Sequence, residues 1–139
     1  RGLLMGGIPG VKPTRVVIIG AGTVAEYAAR SAMALGAVVS VFDNSVARLR
    51  RIQSDLNFPI STSIMQPKVL EKALKRADVA IGALRAKEGR TPCFISDGMV
   101  QKMKPKSVIV DVSIDQGGCL ETSEDHSFCD TDIEIRCQT

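Results

Sequence analysis

Short apolar runs alternate along this chain with segments of helical periodicity, and that alternation constrains the fold more than any single residue does. "RVVIIG" (15–20) is a continuous apolar run closed by glycine, the pattern of a strand buried on both faces. "TVAEYAARSAMAL" (23–35) follows, with Val24, Ala28, Ala32 and Leu35 at helical spacing and Gly36 as the stop. "VVSVFD" (38–43) is a second strand. In "SVARLRRIQSDL" (45–56) Ser45 is placed to cap a helix whose stripe is Val46, Leu49, Ile52 and Leu56. "ISTSIM" (60–65) is a weaker third strand, and "PKVLEKALKRA" (67–77) opens with proline at a helix start. "DVAIGAL" (78–84), "SDGMVQKM" (96–103) and "SVIVDVSI" (107–114) complete the series as strand, short helix and strand.

Elements in this order form repeated βαβ units, which need a parallel sheet with helices on both faces. The expected fold class is therefore α/β, a Rossmann-type doubly wound parallel sheet in three αβα layers. At 139 residues the chain suits one domain spanning 1–139, with 1–14 as a lead-in and 121–139 as an acidic tail. Within that tail "TDIEIRC" reads either as a last edge strand or as an end outside the fold. Ligands of such sheets bind beyond the carboxyl ends of the strands, which narrows the search to 20–25, 43–45, 83–92 and 112–118.

Composition removes several function classes. No apolar run approaches the roughly 18 to 20 residues of a membrane span, and "RGLLMGGIPG" lacks a signal-peptide pattern, so a cytoplasmic protein without a membrane partner is expected. The net charge of +3 hides an asymmetry: residues 121–139 hold six acids and one base, leaving 17 bases against 9 acids before them. Those bases are scattered over "RLRR", "KALKR", "RAKEGR" and "KMKPK" without interleaved aromatics, which fits solvated faces better than a nucleic-acid groove. Cys93, Cys119, Cys129 and Cys137 show no C-x-x-C spacing, and Cys119, His126, Cys129 and Cys137 match no standard zinc pattern, so reduced thiols and no metal are expected.

The local signal with the clearest chemistry is Gly20-Ala21-Gly22-Thr23-Val24-Ala25, the G-x-G-x-x-A form of the dinucleotide fingerprint, lying between a strand and a helix. Gly20 permits the tight turn, Gly22 lets the backbone approach a pyrophosphate, and the small Ala25 lets the helix pack closely on the sheet. The diphosphate would rest on the free N–H groups of the helix opening at Thr23 and Val24. The second strand ends at Asp43, within the roughly twenty residues expected for an acid that binds the ribose hydroxyls. Its charge would repel a 2′-phosphate and favour NAD over NADP; Arg48, Arg50 and Arg51 pull the other way but fall inside the following helix. The alternatives are a βα turn that binds nothing and an Asp43 that merely leads a helix.

With these residues in view, the chain resembles the alanine dehydrogenase family, which is related to the alpha subunit of proton-translocating transhydrogenase. The resemblance runs through "RGLLMGGIPGVKPTRVVIIGAGTVAEYAARSAMALGAVVSVFDNSVARLRRIQ", "ADVAIGAL" and "MKPKSVIVDVSIDQGGCLETS", and "GGIPGV" with "VDVSIDQGGC" is more specific than the glycines alone. The transhydrogenase branch matches less well around "FDNSVARLRR". The resemblance implies reversible NAD-dependent oxidative deamination of L-alanine to pyruvate and ammonium. It places Thr23 and Val24 by the pyrophosphate, Asp43 and Arg48 at the adenosine ribose, and Ala83, Leu84 and Arg85 along the cofactor. Val112, Ser113, Ile114 and Asp115 would line the nicotinamide side, with Asp115 as the catalytic aspartate. The lysine and histidine that the family uses on its substrate belong to another domain of the polypeptide, with no match here, so this chain should bind NAD without turning over alanine. The family also implies a homo-oligomer, commonly a hexamer.

From the residues alone Asp115 is open between two roles. At a strand's carboxyl end it would face the ligand cleft and orient a substrate ammonium or a water. Followed by Gly117-Gly118, it equally suits a chain-reversing turn. Asp111 would share its strand face if the strand stays regular to that point, either supporting the site or simply ending the strand. Two other functions stay in play: an NAD(P)-sensing regulatory domain, and the cofactor domain of a related dehydrogenase or transhydrogenase.

Overall fold

The computed structural model describes residues 6, 9–57, 60–84, 96–111 and 134–137. Ten elements follow in order: β1 (Arg15–Ile19), α1 (Thr23–Ala34), β2 (Val38–Phe42), α2 (Val46–Leu56), β3 (Ser61–Ser63), α3 (Pro67–Arg76), β4 (Val79–Gly82), α4 (Asp97–Gln101), β5 (Val108–Asp111) and β6 (Glu134–Cys137). The strands form one sheet in the order β3-β2-β1-β4-β5-β6, and each neighbouring pair is parallel. This is the doubly wound order, in which the chain builds outward from β1 in one direction and then returns to build in the other. The α/β expectation and its three layers hold.

Several bounds differ by a residue or two from those expected, most clearly in β3 and the short helix. Only Ser61–Ser63 of "ISTSIM" pairs with β2, because a polar segment at a sheet edge is held by one neighbour alone. The short helix stops at Gln101, and β5 is described to Asp111, so Val112, Ser113 and Ile114 lie outside the described residues. Glu134–Cys137 is an edge strand, one of the two readings left open for "TDIEIRC".

β1 divides its side chains between two cores, as a strand covered on both faces must. Val17 and Ile19 join Phe42, Leu70, Leu74, Ala80, Val100 and Ile109 beneath α3 and α4. Val16 and Ile18 join Val41, Ala25, Ala29, Ala32, Leu49, Ile52 and Leu56 beneath α1 and α2. The alanines of α1 let that helix lie close to the sheet. Its end is a Schellman turn: Gly36 at φ +84 donates its N–H to the Met33 carbonyl (2.9 Å) and Ala37 donates to the Ala32 carbonyl (3.0 Å). Ser45 caps α2 as expected, its Oγ accepting the Arg48 N–H at 3.3 Å, and Pro67 occupies the first turn of α3. Across α3 and the end of α4, Lys102 reaches Glu71 at 2.8 Å; that hydrogen bond and charge, with Lys75 beside it, hold the Glu71 carboxyl below its ordinary pKa.

Leu74 is fully buried, so Leu74→Ala is expected to destabilise the fold by about 2–5 kcal/mol, read as a shift in the urea midpoint at unchanged slope. Among the described residues no helix is long and apolar enough to cross a membrane.

Candidate functional site

The register aligns the strand ends. Ile19 pairs with Phe42 on one side and Gly82 on the other, Gly82 pairs with Asp111, and Phe42 pairs with Ser63. The residues that follow β1, β2 and β4, namely Gly20, Asp43 and Ala83, therefore emerge at one edge of the sheet. β1 and β4 are the strands between which the winding direction reverses, the place where an open α/β sheet leaves a crevice.

A cavity of about 210 Å³ occupies that crevice, lined by Gly20, Ala21, Gly22, Thr23, Val24, Asp43, Arg48, Arg51, Ala83 and Leu84. Gly20 has φ +109, donates its N–H to the Phe42 carbonyl at 2.6 Å, and lies so close to β4 that an added Cβ would sit 2.7 Å from the Ala83 carbonyl oxygen. Gly22 is the opposite case. An added Cβ there meets nothing within 4 Å, because its open side faces the cavity. Gly22 also caps α1 and offers no side chain to the helix's first N–H groups, and among the described residues no side chain is seen to accept from them. Those donors and the positive end of the helix dipole point at the open space, an arrangement that receives a phosphate.

Asp43 is buried at 3% exposure. One carboxylate oxygen, Oδ2, accepts the Ala21 N–H at 2.8 Å; the other, Oδ1, accepts the Ser45 N–H at 2.8 Å. Arg48 Nη1 lies 3.6 Å from Oδ2, its own side chain more than a third exposed. A carboxylate has about four lone-pair sites, so the acid retains capacity for a ligand hydroxyl on the cavity side. Asp43 thus leads into α2 and also lines the crevice.

Gly20, Gly22, Thr23, Val24, Asp43, Arg48, Ala83 and Leu84 are brought together; Arg85, Val112, Ser113, Ile114 and Asp115 lie outside the described residues. Two lining residues were not among the expected site residues. Arg51, weighed with Arg48 and Arg50 only as a possible partner of a 2′-phosphate, lines the cavity one turn beyond Arg48, and their i, i+3 spacing on α2 was the available signal, since it puts both on one helix face and leaves Arg50 off it. Ala21 acts through its backbone N–H, which its side-chain identity does not advertise. Among the described residues no group of three or more His, Cys, Asp or Glu is placed to hold a metal; Cys119, His126 and Cys129 lie outside them.

A parallel sheet in this order, with a glycine turn at the reversal point and an acid ending the second strand, defines a dinucleotide-binding α/β domain. The chain belongs to the alanine dehydrogenase/PNT C-terminal domain family, whose model matches residues 1–138. It is 46% identical over 123 residues to an alanine dehydrogenase of Mycolicibacterium smegmatis, a match covering 88% of this chain and 33% of that protein. A solved L-alanine dehydrogenase superposes with a TM-score of 0.82 at 43% identity, covering 88% of this chain and 34% of that one. A transhydrogenase from Sinorhizobium meliloti reaches the same TM-score at 24% identity over 99% of this chain and 41% of its own, a likeness of fold alone. The chain spans about a third of the length of the curated relatives it matches.

Proposed function

We propose that this chain is the NAD-binding domain of an alanine dehydrogenase, which converts L-alanine, NAD and water to pyruvate, ammonium, NADH and a proton. The observation that carries the reading is the 46% identity to an alanine dehydrogenase over nearly the whole chain. The crevice fits the cofactor on its own terms: uncapped helix donors, an open Gly22 and a buried carboxylate stand in the sequence a pyrophosphate and its ribose require. Gly22, Thr23 and Val24 hold the pyrophosphate, Gly20 and Ala83 close the floor, Leu84 and Arg85 border the cofactor, and Asp43 with Arg48 receives the adenosine ribose. When bound, NAD accepts the hydride. Val112, Ser113 and Ile114 face the nicotinamide, and Asp115 is the catalytic aspartate that orients the substrate's ammonium or the attacking water.

The substrate-binding lysine and histidine sit in a further domain of the same polypeptide, and the assembled enzyme is a cytoplasmic homo-oligomer, with no membrane or nucleic-acid partner. Calorimetric titration of the 139-residue chain should show NAD binding without turnover. The full-length protein should then produce NADH in response to L-alanine. Binding of NAD without alanine-dependent NADH would shift the reading to a related dehydrogenase or a sensor; no binding at all would remove it.

A further inference from the structure

Asp43 touches more of the crevice than an acid serving only a ribose would. Its two oxygens take the N–H of Ala21, in the middle of the glycine turn, and the N–H of Ser45, the cap of α2, both at 2.8 Å. Ala21 is fully buried, so no water stands ready to replace the carboxylate as its acceptor. The same group thus joins the β1–α1 turn to the β2–α2 turn, and Arg48 closes over it at 3.6 Å. Gly20 and Gly22 flank Ala21 and carry no side chain to restrict the backbone, so the Ala21 N–H bond to Asp43 is a second tie on the turn beside the Gly20 N–H to the Phe42 carbonyl.

We propose that Asp43 is a positioning residue for the pyrophosphate half of the crevice: it fixes the glycine turn so that the N-terminal donors of α1 face the ligand. This rests on the dinucleotide-binding reading but goes beyond the ribose contact. The two roles are separable because they predict opposite signs for a ligand that has phosphates and no ribose hydroxyls. If Asp43 only met the ribose, Asp43→Asn would leave such a ligand unaffected, or tighten it by removing a negative charge near the phosphates. If Asp43 holds the turn, the same substitution weakens it. The asparagine can offer its oxygen to one N–H but must turn its NH₂ toward the other, so one of the two ties, to the buried Ala21 N–H or to the part-buried Ser45 N–H, is lost and the link between the two turns is broken.

The probes are ADP and 2′,3′-dideoxy-ADP, titrated calorimetrically into the unaltered chain and into Asp43→Asn. The proposal expects dideoxy-ADP to bind the variant about tenfold more weakly than the unaltered chain, with ADP weakened further by the lost hydroxyl contact. Dideoxy-ADP affinity that is unchanged or increased in the folded variant would overturn it. A second measurement needs no variant: in the ligand-free protein the Ala21 amide should exchange with deuterium as slowly as the amides of β1. Exchange as fast as that of Gly22 would also overturn the proposal. Should neither ADP nor NAD bind the unaltered chain, the dinucleotide reading itself falls, an outcome distinct from a normal ligand response that Asp43→Asn fails to change.

Discussion

Gly22→Val is expected to leave a folded protein that has lost NAD. The position is extended, with φ −86 and ψ −164, which valine adopts readily, and an added Cβ meets nothing within 4 Å. The cost to stability is that of a poor helix cap, about 1 kcal/mol. The space the isopropyl group enters is the space in front of the α1 donors, so the pyrophosphate cannot reach them. The affinity for NAD should fall by at least about a hundredfold, or roughly 2.7 kcal/mol. Thermal melting and calorimetric titration of one sample check both halves. An intact affinity would show that the phosphates do not lie over Gly22.

Two residues earlier the expectation reverses. Gly20→Ala should be paid for in stability. Its φ of +109 is a conformation that L side chains rarely adopt, and its Cβ would fall 2.7 Å from the Ala83 carbonyl oxygen and 2.9 Å from the Ala83 carbonyl carbon. Those are backbone atoms of the β4 exit, held by the Ala83 N–H to the Ile19 carbonyl at 2.8 Å, and they cannot rotate aside. A loss of about 3–5 kcal/mol is expected, a large share of the roughly 5–15 kcal/mol that keeps a domain folded. It would be read from the urea midpoint. A loss under about 1 kcal/mol would mean that β4 gives way at no cost, and that Gly20 is not wedged.

The glycine fingerprint gave both positions the same prominence, and the contrast between them needed the fold. What separates them is the neighbour across the crevice, Ala83, more than sixty positions away in sequence. The central strands were legible because each is a short apolar run, and the helices as elements, but the buried face of α1 was not: it is Ala25, Ala29 and Ala32, while Val24 and Leu35 of the expected stripe are exposed, as is Val46 of α2, because the small alanines are what fit against the sheet. The edges were less so: Ser61–Ser63 carries no apolar run to mark its limits, and Glu134–Cys137 carries charged and apolar residues in equal number. Asp43 was recognisable as an acid ending β2. That both its oxygens take backbone N–H groups was not: the Ser45 N–H is only two residues on, but the Ala21 N–H comes within reach only once β1 and β2 lie side by side. Arg51 illustrates a milder failure, in which the periodicity that sorts it from Arg50 was present but overshadowed by reading the basic run as one cluster.

The two cores have unequal claims on the crevice. Ala21, Ala25 and Ala83 all belong to the cluster under α1 and α2, and none to the cluster under α3 and α4. Loss of packing on the second side, which reaches the crevice through Leu84, would thin the population of folded molecules while leaving each survivor with most of its grip on a nucleotide. Loss on the first side would damage the molecules and their grip together. Variation in this chain can therefore adjust lifetime and affinity separately, by choosing the side of the sheet on which it falls.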